Sequence, residues 1–233
     1  MTYDLWYWTG IPGRGEFVRL ALEAGGIAYR DRAREEGDAA MIEDMARRAN
    51  LAPFAPPYLV AGDLCIPQTA NILLFLGDRH LGPKDDAGRH AAQALQLTIA
   101  DMVVEAHNVH HPVSPGLYYR DQKPESLRAA EAFRRARMPK YLSWFERVLD
   151  DGGPWLLGEA WTYADLSLFQ LLEGLAYAFH KRMATLAADI PLIAGVRERV
   201  RALPQLADYL HGERRLPFNE DGLFRHYPEL DGD

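Results

Sequence analysis

The chain contains one cysteine, Cys65, among its 233 residues. A single thiol cannot form a disulfide within the chain, which excludes the disulfide-rich secreted class and favours a reducing compartment. It also excludes a Cys-x-x-Cys redox motif, and the sulfur is expected to be a small core group. Residues 1–20 lack a basic start followed by an apolar stretch, so no signal peptide is expected and a cytoplasmic location is predicted.

Long apolar runs and an excess of positive charge are also absent. The longest apolar run, residues 72–76, is far too short to cross a bilayer. The formal net charge is -7 and basic residues are interspersed with acidic ones, so neither nucleic acid nor a membrane surface is an expected partner. A hydrophobic fraction of 48% and a charged fraction of 25% are typical of a globular chain.

Residues 1–80 alternate between strand and helix patterns. Short apolar or aromatic runs bounded by glycine predict strands, and apolar residues at spacings of three and four predict helices. Three prolines between residues 53 and 57 require an irregular segment. The prediction is strand 3–8, a helix over 17–22, strand 27–30, helix 38–49, strands 58–60 and 64–66, and a helix from Thr69. This βαβαββα order, with a proline opening the third strand, is the thioredoxin-like arrangement.

The rest of the chain predicts helices only. Residues 81–87 carry turn residues and charges, and are predicted to link a domain over 1–80 to an all-helical domain over 88–233. Thr162 and Asp165 match a capping box, in which the threonine caps the first turn and the acid reaches back to the cap amide. The helix that follows is apolar nearly all round, which predicts a buried centre, and residues 125–150 predict another long helix.

Four local patterns occur in a fixed order along the chain. Tyr7 ends the first strand and is followed by a glycine-containing loop and an arginine-bearing helix with Arg14 and Arg19. Residues 57–69 are Pro-Tyr-Leu-Val-Ala-Gly-Asp-Leu-Cys-Ile-Pro-Gln-Thr, residues 99–103 are Ile-Ala-Asp-Met-Val, and residues 158–165 contain the capping box. Together these patterns resemble the soluble, tyrosine-type glutathione S-transferase family, in particular its alpha, mu, pi and sigma-like classes, over nearly the whole chain.

The resemblance implies an α/β thioredoxin-like N-terminal domain and an all-α C-terminal domain. It implies a homodimeric detoxification enzyme that binds glutathione as co-substrate and conjugates the thiolate to a small, largely apolar electrophile. A glutathione-dependent isomerase or peroxidase is an alternative on the same fold, and so is a glutathione-binding protein without turnover.

The resemblance also assigns roles to residues. Tyr7 would hydrogen-bond the glutathione sulfur and favour its thiolate, because a free thiol with a pKa near 8.5 is only about 3% ionised at pH 7. Gln68 and Thr69 stand at a helix start, where amides and the helix dipole favour the γ-glutamyl carboxylate. Asp101 would receive the γ-glutamyl ammonium across a dimer interface. The expected glutathione-binding set is Tyr7, Arg14, Pro56, Gln68, Thr69 and Asp101.

The catalytic hydroxyl has alternatives. Counting back from Arg19, the tyrosine of the family falls at Trp8, so Tyr7 requires one inserted residue in the loop over 10–13. A loop with two glycines and a proline accommodates such an insertion. Thr9 is a second candidate, because a hydroxyl of that type serves in some classes.

The glutathione-binding set also has alternatives. The resemblance makes Pro57 the cis proline of the family, so Pro56 before it, which has no amide hydrogen, can only accept one of the two backbone hydrogen bonds that the family exchanges with glutathione there. Alternatively, Pro56 is itself the cis residue and the register differs slightly. Gln68 and Thr69 would serve equally as an ordinary helix cap, and Asp101 as a solvated surface acid.

His107, His110 and His111 suggest a metal site, because the first and last share a helical face. No nearby Cys, Asp or Glu completes a ligand set and Pro112 interrupts the helix, so no metal is expected. The resemblance places the second-substrate cleft near here, and the C-terminal tail either closes over that cleft or packs elsewhere. Its predicted lining is Trp8, Ile11, His111 and Tyr118.

Overall fold

Four short strands form a sheet in the N-terminal part of the computed structural model, which describes residues 2–49, 52–150 and 152–232. The strands are β1 (Tyr3–Trp6), β2 (Tyr29–Asp31), β3 (Tyr58–Ala61) and β4 (Leu64–Pro67), in the spatial order β2-β1-β3-β4. Strand β1 runs parallel to β2 and antiparallel to β3, and β3 and β4 form an antiparallel hairpin. The predicted thioredoxin-like sheet is confirmed.

Helices cover both faces of this sheet. They are α1 (Gly15–Ala24), α2 (Arg32–Glu36), α3 (Asp38–Arg47) and α4 (Thr69–Leu76). Side chains alternate across a strand, so Leu5 of β1 enters the main core with α1 and α4. Its neighbour Trp6 lies in a smaller cluster with Ala33 of α2 and Met41 of α3. Consequently α1 and α4 pack on one face of the sheet, and α2 and α3 pack on the other.

The described chain beyond α4 is helical, as predicted. A π-helical turn, Gly77–Leu81, leads into α5 (Asp86–Asn108). The further helices are α6 (Lys123–Ala132), α7 (Met138–Asp150), α8 (Tyr163–Ala178), α9 (His180–Leu186), α10 (Pro191–Arg201) and α11 (Ala207–His211). The boundaries of the two domains and of the 81–87 link stay a prediction. Within the described residues, no helix has the length and apolarity that a membrane span requires.

In the N-terminal part, the first strand ends earlier than predicted and one observed helix was not predicted. Strand β1 ends at Trp6 and not at Trp8. Trp6 pairs with Tyr58, the first residue of β3, and the preceding residue Pro57 has no amide hydrogen with which to extend the pairing of the two strands. The short helix α2 was not predicted, since five residues are too few for a periodic signal.

The helix predicted over 125–150 is interrupted by a π-helical turn, Phe133–Arg137. Phe133 and Met138 are both buried although they are five positions apart. In an α-helix, which turns about 100° per residue, these side chains would point about 140° apart. The wider π turn brings both to the core, which explains why the helix changes its winding there.

The capping box before α8 is confirmed. Thr162 Oγ1 accepts a hydrogen bond from the amide of Ala164, and the Asp165 carboxylate accepts one from the Thr162 amide at 2.8 Å. Asp165 also accepts a hydrogen bond from the amide of Leu156 at 2.8 Å, and it is fully buried. This carboxylate therefore joins the preceding loop to the helix at the centre of the all-helical region.

We expect Asp165→Ala to lower the free energy of unfolding by at least about 2 kcal/mol, because the buried amides of Leu156 and Thr162 lose their acceptor. Denaturant unfolding followed by circular dichroism measures this change. Glu159→Ala, at an exposed position of the same loop, is the matched control and should change stability by less than about 0.5 kcal/mol. Equal stability of the two variants would contradict the role given to Asp165.

Candidate functional site

A cleft of about 610 Å³ lies where the N-terminal ends of α1 and α4 face the middle of α5. Its walls include Arg14, Pro56, Gln68 and Thr69, so one cavity brings together four of the six residues predicted to bind glutathione. Pro56 reaches the cleft from the irregular segment before β3, and the peptide bond between Pro56 and Pro57 is cis. The strand edge, a helix start and a basic side chain thus meet at one place.

The N terminus of α4 is open toward the cleft. Gln68 stands at the capping position, yet its side chain makes no capping hydrogen bond. Its φ of 72° is in the left-handed region, which is costly for a residue with a side chain and is found mostly at functional sites. Thr69 Oγ1 has no hydrogen-bond partner among the described residues. These features favour a ligand role over the alternative of an ordinary cap, because the first amides of α4 stay free for an anion.

Arg14 brings a positive charge to the same cleft. It immediately precedes α1, and among residues 2–49, 52–150 and 152–232 its guanidinium has no ion-pair partner within 4 Å. Its backbone amide donates a hydrogen bond of 2.8 Å to Tyr7 Oη. Arg14 therefore connects the cleft to the predicted catalytic hydroxyl.

Tyr7 is almost fully buried, at 3% exposure, and packs directly on the glycine-rich loop. A Cβ added at Gly13 would lie 2.1 Å from Tyr7 Oη, and one added at Gly15 would lie 2.5 Å from the ring. Gly13 also has a φ of +44°. The two glycines therefore make the room that the ring occupies, and no larger residue fits at either position without displacing it.

Tyr7 is a neutral phenol whose O–H proton is not donated to any acceptor in the described parts of the chain. Burial raises its pKa above the ordinary value, and the Arg14 amide and the charges of Arg14 and Arg19 offset this only in part. Tyr7 Oη accepts from the Arg14 amide, and no acceptor for its own proton is found in the described parts of the chain. A phenol in this state can donate a hydrogen bond to an anion, such as a thiolate.

The two alternatives to Tyr7 are placed differently. The amide and hydroxyl of Thr9 both donate to the carboxylate of Asp38, at 3.0 and 3.3 Å. Trp8 is partly buried against the cluster around Trp6 on the α2–α3 side of the sheet. None of the three side chains lines the cleft, but Tyr7 is hydrogen-bonded to the backbone of the cleft residue Arg14 and Thr9 and Trp8 are not, so this geometry favours Tyr7 as the reactive hydroxyl.

The structure does not gather the remaining predicted residues into the cleft. Asp101 is exposed on α5, Ile11 is partly buried in the loop after β1, and Tyr118 is 69% exposed. His111 packs with His107 and His110, with ring centroids between 4.6 and 5.0 Å apart. The predicted second-substrate lining therefore stays a prediction.

Sequence reasoning missed Gln96, a cleft residue on α5. It is 2% exposed, and its Oε1 has no hydrogen-bond partner within the described chain. A signal was present, because Gln96 is a polar residue beside Ala92, Leu95 and Ile99 on the buried stripe of the helix. A buried amide in such a stripe is costly unless something pairs with it.

Comparison with known proteins gives one consistent family. Residues 107–213 match the family model described as "Glutathione S-transferase, C-terminal domain". Glutathione S-transferase A2 of Bos taurus is 25% identical over 223 residues, which cover 94% of this chain and 93% of the relative. Glutathione S-transferase alpha-3 of Rattus norvegicus is 28% identical over 216 residues, covering 90% and 89%. The solved structure of a Pi-class glutathione S-transferase of Onchocerca volvulus superimposes with a TM-score of 0.73 at 23% identity, covering 95% of this chain and 99% of that one.

The state of Tyr7 generates a prediction about alkaline titration. Because burial raises its pKa, the phenol stays protonated below about pH 10, and its tyrosinate absorbance should appear only above that value. The measurement is the ultraviolet titration of the wild type minus that of Tyr7→Phe, with Tyr3→Phe as the control for the same conservative change at another buried tyrosine. A Tyr7 tyrosinate signal near neutral pH would show that the residue is an anionic base and not a hydrogen-bond donor.

Proposed function

We propose that the chain, which is similar to glutathione S-transferases over about nine-tenths of its length, transfers glutathione to a small, largely apolar electrophile. One observation carries the proposal. Within the described residues, Tyr7 is a neutral phenol with an uncommitted proton, and it is hydrogen-bonded to the backbone of Arg14, a cation without an ion pair on a cleft with an open helix N terminus. That combination suits a ligand that is both anionic and a thiol.

The proposed binding mode uses the charges of glutathione. The γ-glutamyl carboxylate lies against the free amides of α4, with Gln68 and Thr69 as ligands. The buried hydroxyl of Thr69, which has no hydrogen-bond partner among the described residues, is the proposed donor to this carboxylate. Arg14 supplies a positive charge on the opposite side of the cleft. Asp101 of the partner subunit, exposed on α5, receives the γ-glutamyl ammonium.

Pro56 is expected to weaken backbone recognition of glutathione. Its carbonyl can accept a hydrogen bond from the cysteinyl amide of the ligand, but it has no amide hydrogen to return a second one. The binding energy therefore depends more on the ends of the tripeptide, at the N terminus of α4 and at Arg14, than on its central unit.

The proposed mechanism is nucleophilic attack by the thiolate. Tyr7 donates a hydrogen bond to the sulfur and stabilises its charged form, so the thiol loses its proton to solvent near neutral pH. The sulfur electron pair then forms a bond to an electrophilic carbon, and the leaving group departs or the displaced electron pair is protonated by water. Tyr7 keeps its own proton throughout.

Two alternatives keep the same glutathione site and differ in turnover. An isomerase or a peroxidase uses the same thiolate on another class of second substrate, and a binding protein retains glutathione without chemistry. Conjugation of a general electrophile separates the proposed transferase from both alternatives. We place the reaction in the cytoplasm, which agrees with one unpaired cysteine.

A homodimer is part of the proposal. Phe54 is 95% exposed beside the cleft, and Leu97 and Val104 of α5 are 50% and 44% exposed on the same side. An exposed aromatic side chain next to exposed aliphatic ones is typical of a protein–protein interface. Asp101 stands between Leu97 and Val104 along α5, so an interface here presents it to the cleft of the partner.

Tyr7→Phe should leave glutathione bound but raise the pKa of its thiol toward the free value near 8.5. If Tyr7 lowers that pKa by one to two units, kcat/KM at pH 6.5 falls by about 10- to 100-fold. Ultraviolet titration of the bound thiolate and conjugation kinetics measure the two effects. Tyr3→Phe is the matched control, since its hydroxyl contacts His80 on the other side of the core. An unshifted thiol pKa in the wild type would contradict the tyrosine mechanism.

Phe54→Ala and Leu97→Asp should weaken self-association by roughly 30-fold or more, because each removes an apolar anchor from the proposed interface. Sedimentation velocity over a concentration series measures the monomer–dimer equilibrium. Ile42→Asp, an equally exposed apolar position on α3, is the control and should leave it unchanged. The interface is wrongly assigned if Ile42→Asp dissociates the dimer and the other two variants do not.

A further inference from the structure

Three histidines meet where α5 ends. The helix stops at Asn108, and the following turn carries His110 and His111 back against His107. One ring nitrogen from each of the three lies within 4.8 Å of the others. The rings of His107 and His111 are stacked at 5.0 Å, and His110 stands edge-on to both. From this geometry we propose that His107, His110 and His111 form a binding site for a divalent transition-metal ion such as Zn²⁺.

The hydrogen bond of His110 fixes which nitrogen can bind a metal. Its Nε2 lies 2.9 Å from the carbonyl oxygen of Leu223, which can only accept, so Nε2 carries the proton. In the neutral ring the lone pair is therefore on Nδ1. A backbone carbonyl that orients the ring from its far nitrogen is the usual support of a histidine ligand.

The lone pair of His110 points at a second potential ligand atom. His110 Nδ1 lies 2.5 Å from His111 Nδ1. Two nitrogens of a tetrahedral zinc site, each 2.0–2.1 Å from the metal, are about 3.3 Å apart. The two Nδ1 atoms must therefore move about 0.8 Å further apart to bind the same ion. The side chain of His111 can make this movement because it is only partly buried. His111 then carries its proton on Nε2 instead of Nδ1.

The surroundings favour a metal that binds nitrogen over a hard cation. All three potential ligand atoms are imidazole nitrogens, and His110 is only 3% exposed. Imidazole suits zinc, copper and nickel, whereas Mg²⁺ requires oxygen ligands.

A second group of potential ligands lacks these features. His180, His226 and Asp231 also lie within 4.8 Å of one another. The Asp231 carboxylate, however, already accepts hydrogen bonds from the amides of Lys181 and Arg182 and lies 3.1 Å from His180 Nδ1. This carboxylate has its partners without a metal, so the group serves as the comparison site.

The proposal departs from the sequence-based expectation of no metal. That expectation rests on the lack of a nearby Cys, Asp or Glu to complete a ligand set and on the interruption of the helix at Pro112. The helix ends earlier, and the contact between His110 and the tail residue Leu223 supplies the third ligand. Three protein ligands with a fourth position left to water are the arrangement of open zinc sites.

The test is a zinc and cobalt titration of the full chain without an affinity tag. We expect one Zn²⁺ per chain to remain after desalting, and Co²⁺ in its place to give the intense visible absorption of a four-coordinate ion. His107→Gln and His111→Gln should each weaken the affinity by at least about tenfold, whereas His180→Gln retains it. Mg²⁺ in excess should not compete.

Circular dichroism and thermal unfolding of each variant separate a lost ligand from a lost fold. The proposal is overturned if the wild type retains no more zinc than His107→Gln and His111→Gln, or if only His180→Gln loses the ion. Glutathione takes no part in the titration, so failure of the conjugation assay and failure of metal binding are independent results.

Discussion

The buried charge of Arg19 is the constraint on which the rest of the molecule depends. This side chain of α1 is fully buried, and its Nε lies 2.7 Å from Asp31 at the end of β2. Its other partner is the equally buried Glu16, whose carboxylate lies 3.7 Å from Arg19 Nη1. The same carboxylate accepts a hydrogen bond of 2.9 Å from Tyr209 Oη in α11 and lies 3.6 Å from Arg215 Nε. Burial alone would lower the pKa of Arg19, but the two carboxylates outweigh it and hold the pKa above its ordinary value. Removing one partner from such a group is strongly destabilising, so α1, β2 and the end of the chain are held in one arrangement.

The candidate catalytic hydroxyl depends on that arrangement. The guanidinium carbon of Arg19 lies 5.8 Å from the centre of the Tyr7 ring, and Gly15, the first residue of α1, packs against the ring. The position of α1 thereby also places the Arg14 amide that donates to Tyr7 Oη. The hydroxyl is oriented by backbone and by close packing, which cost no further ordering when a ligand binds.

The structural features that could be predicted are those formed by residues close together in the sequence. The strands around Tyr58, the helix at Thr69 and the capping box of Thr162 and Asp165 each follow from residues near one another, and the fold and family predictions are confirmed. The open N terminus of α4 was predicted for the same reason, whereas Gln96 was overlooked because its signal is a single polar residue in an apolar stripe. The meeting of His110 with Leu223 could not be predicted, since it joins residues 113 positions apart. The roles of Tyr7, Arg14, Gln68, Thr69 and Asp101 stay predictions.

The C-terminal tail explains how the loop after β1 can hold an extra residue and still fix the hydroxyl. Asn219 Nδ2 donates to the carbonyl oxygen of Gly10 at 2.9 Å. The tail is itself anchored, because Phe224 packs so closely on α8 that a Cβ at Gly174 would lie 2.2 Å from its ring. The loop is thus held at Gly10 by the tail and at its other end by the bond between the Arg14 amide and Tyr7. A loop fixed at both ends can vary in length between them, and so the inserted residue that the resemblance requires is compatible with Tyr7 as the reactive group.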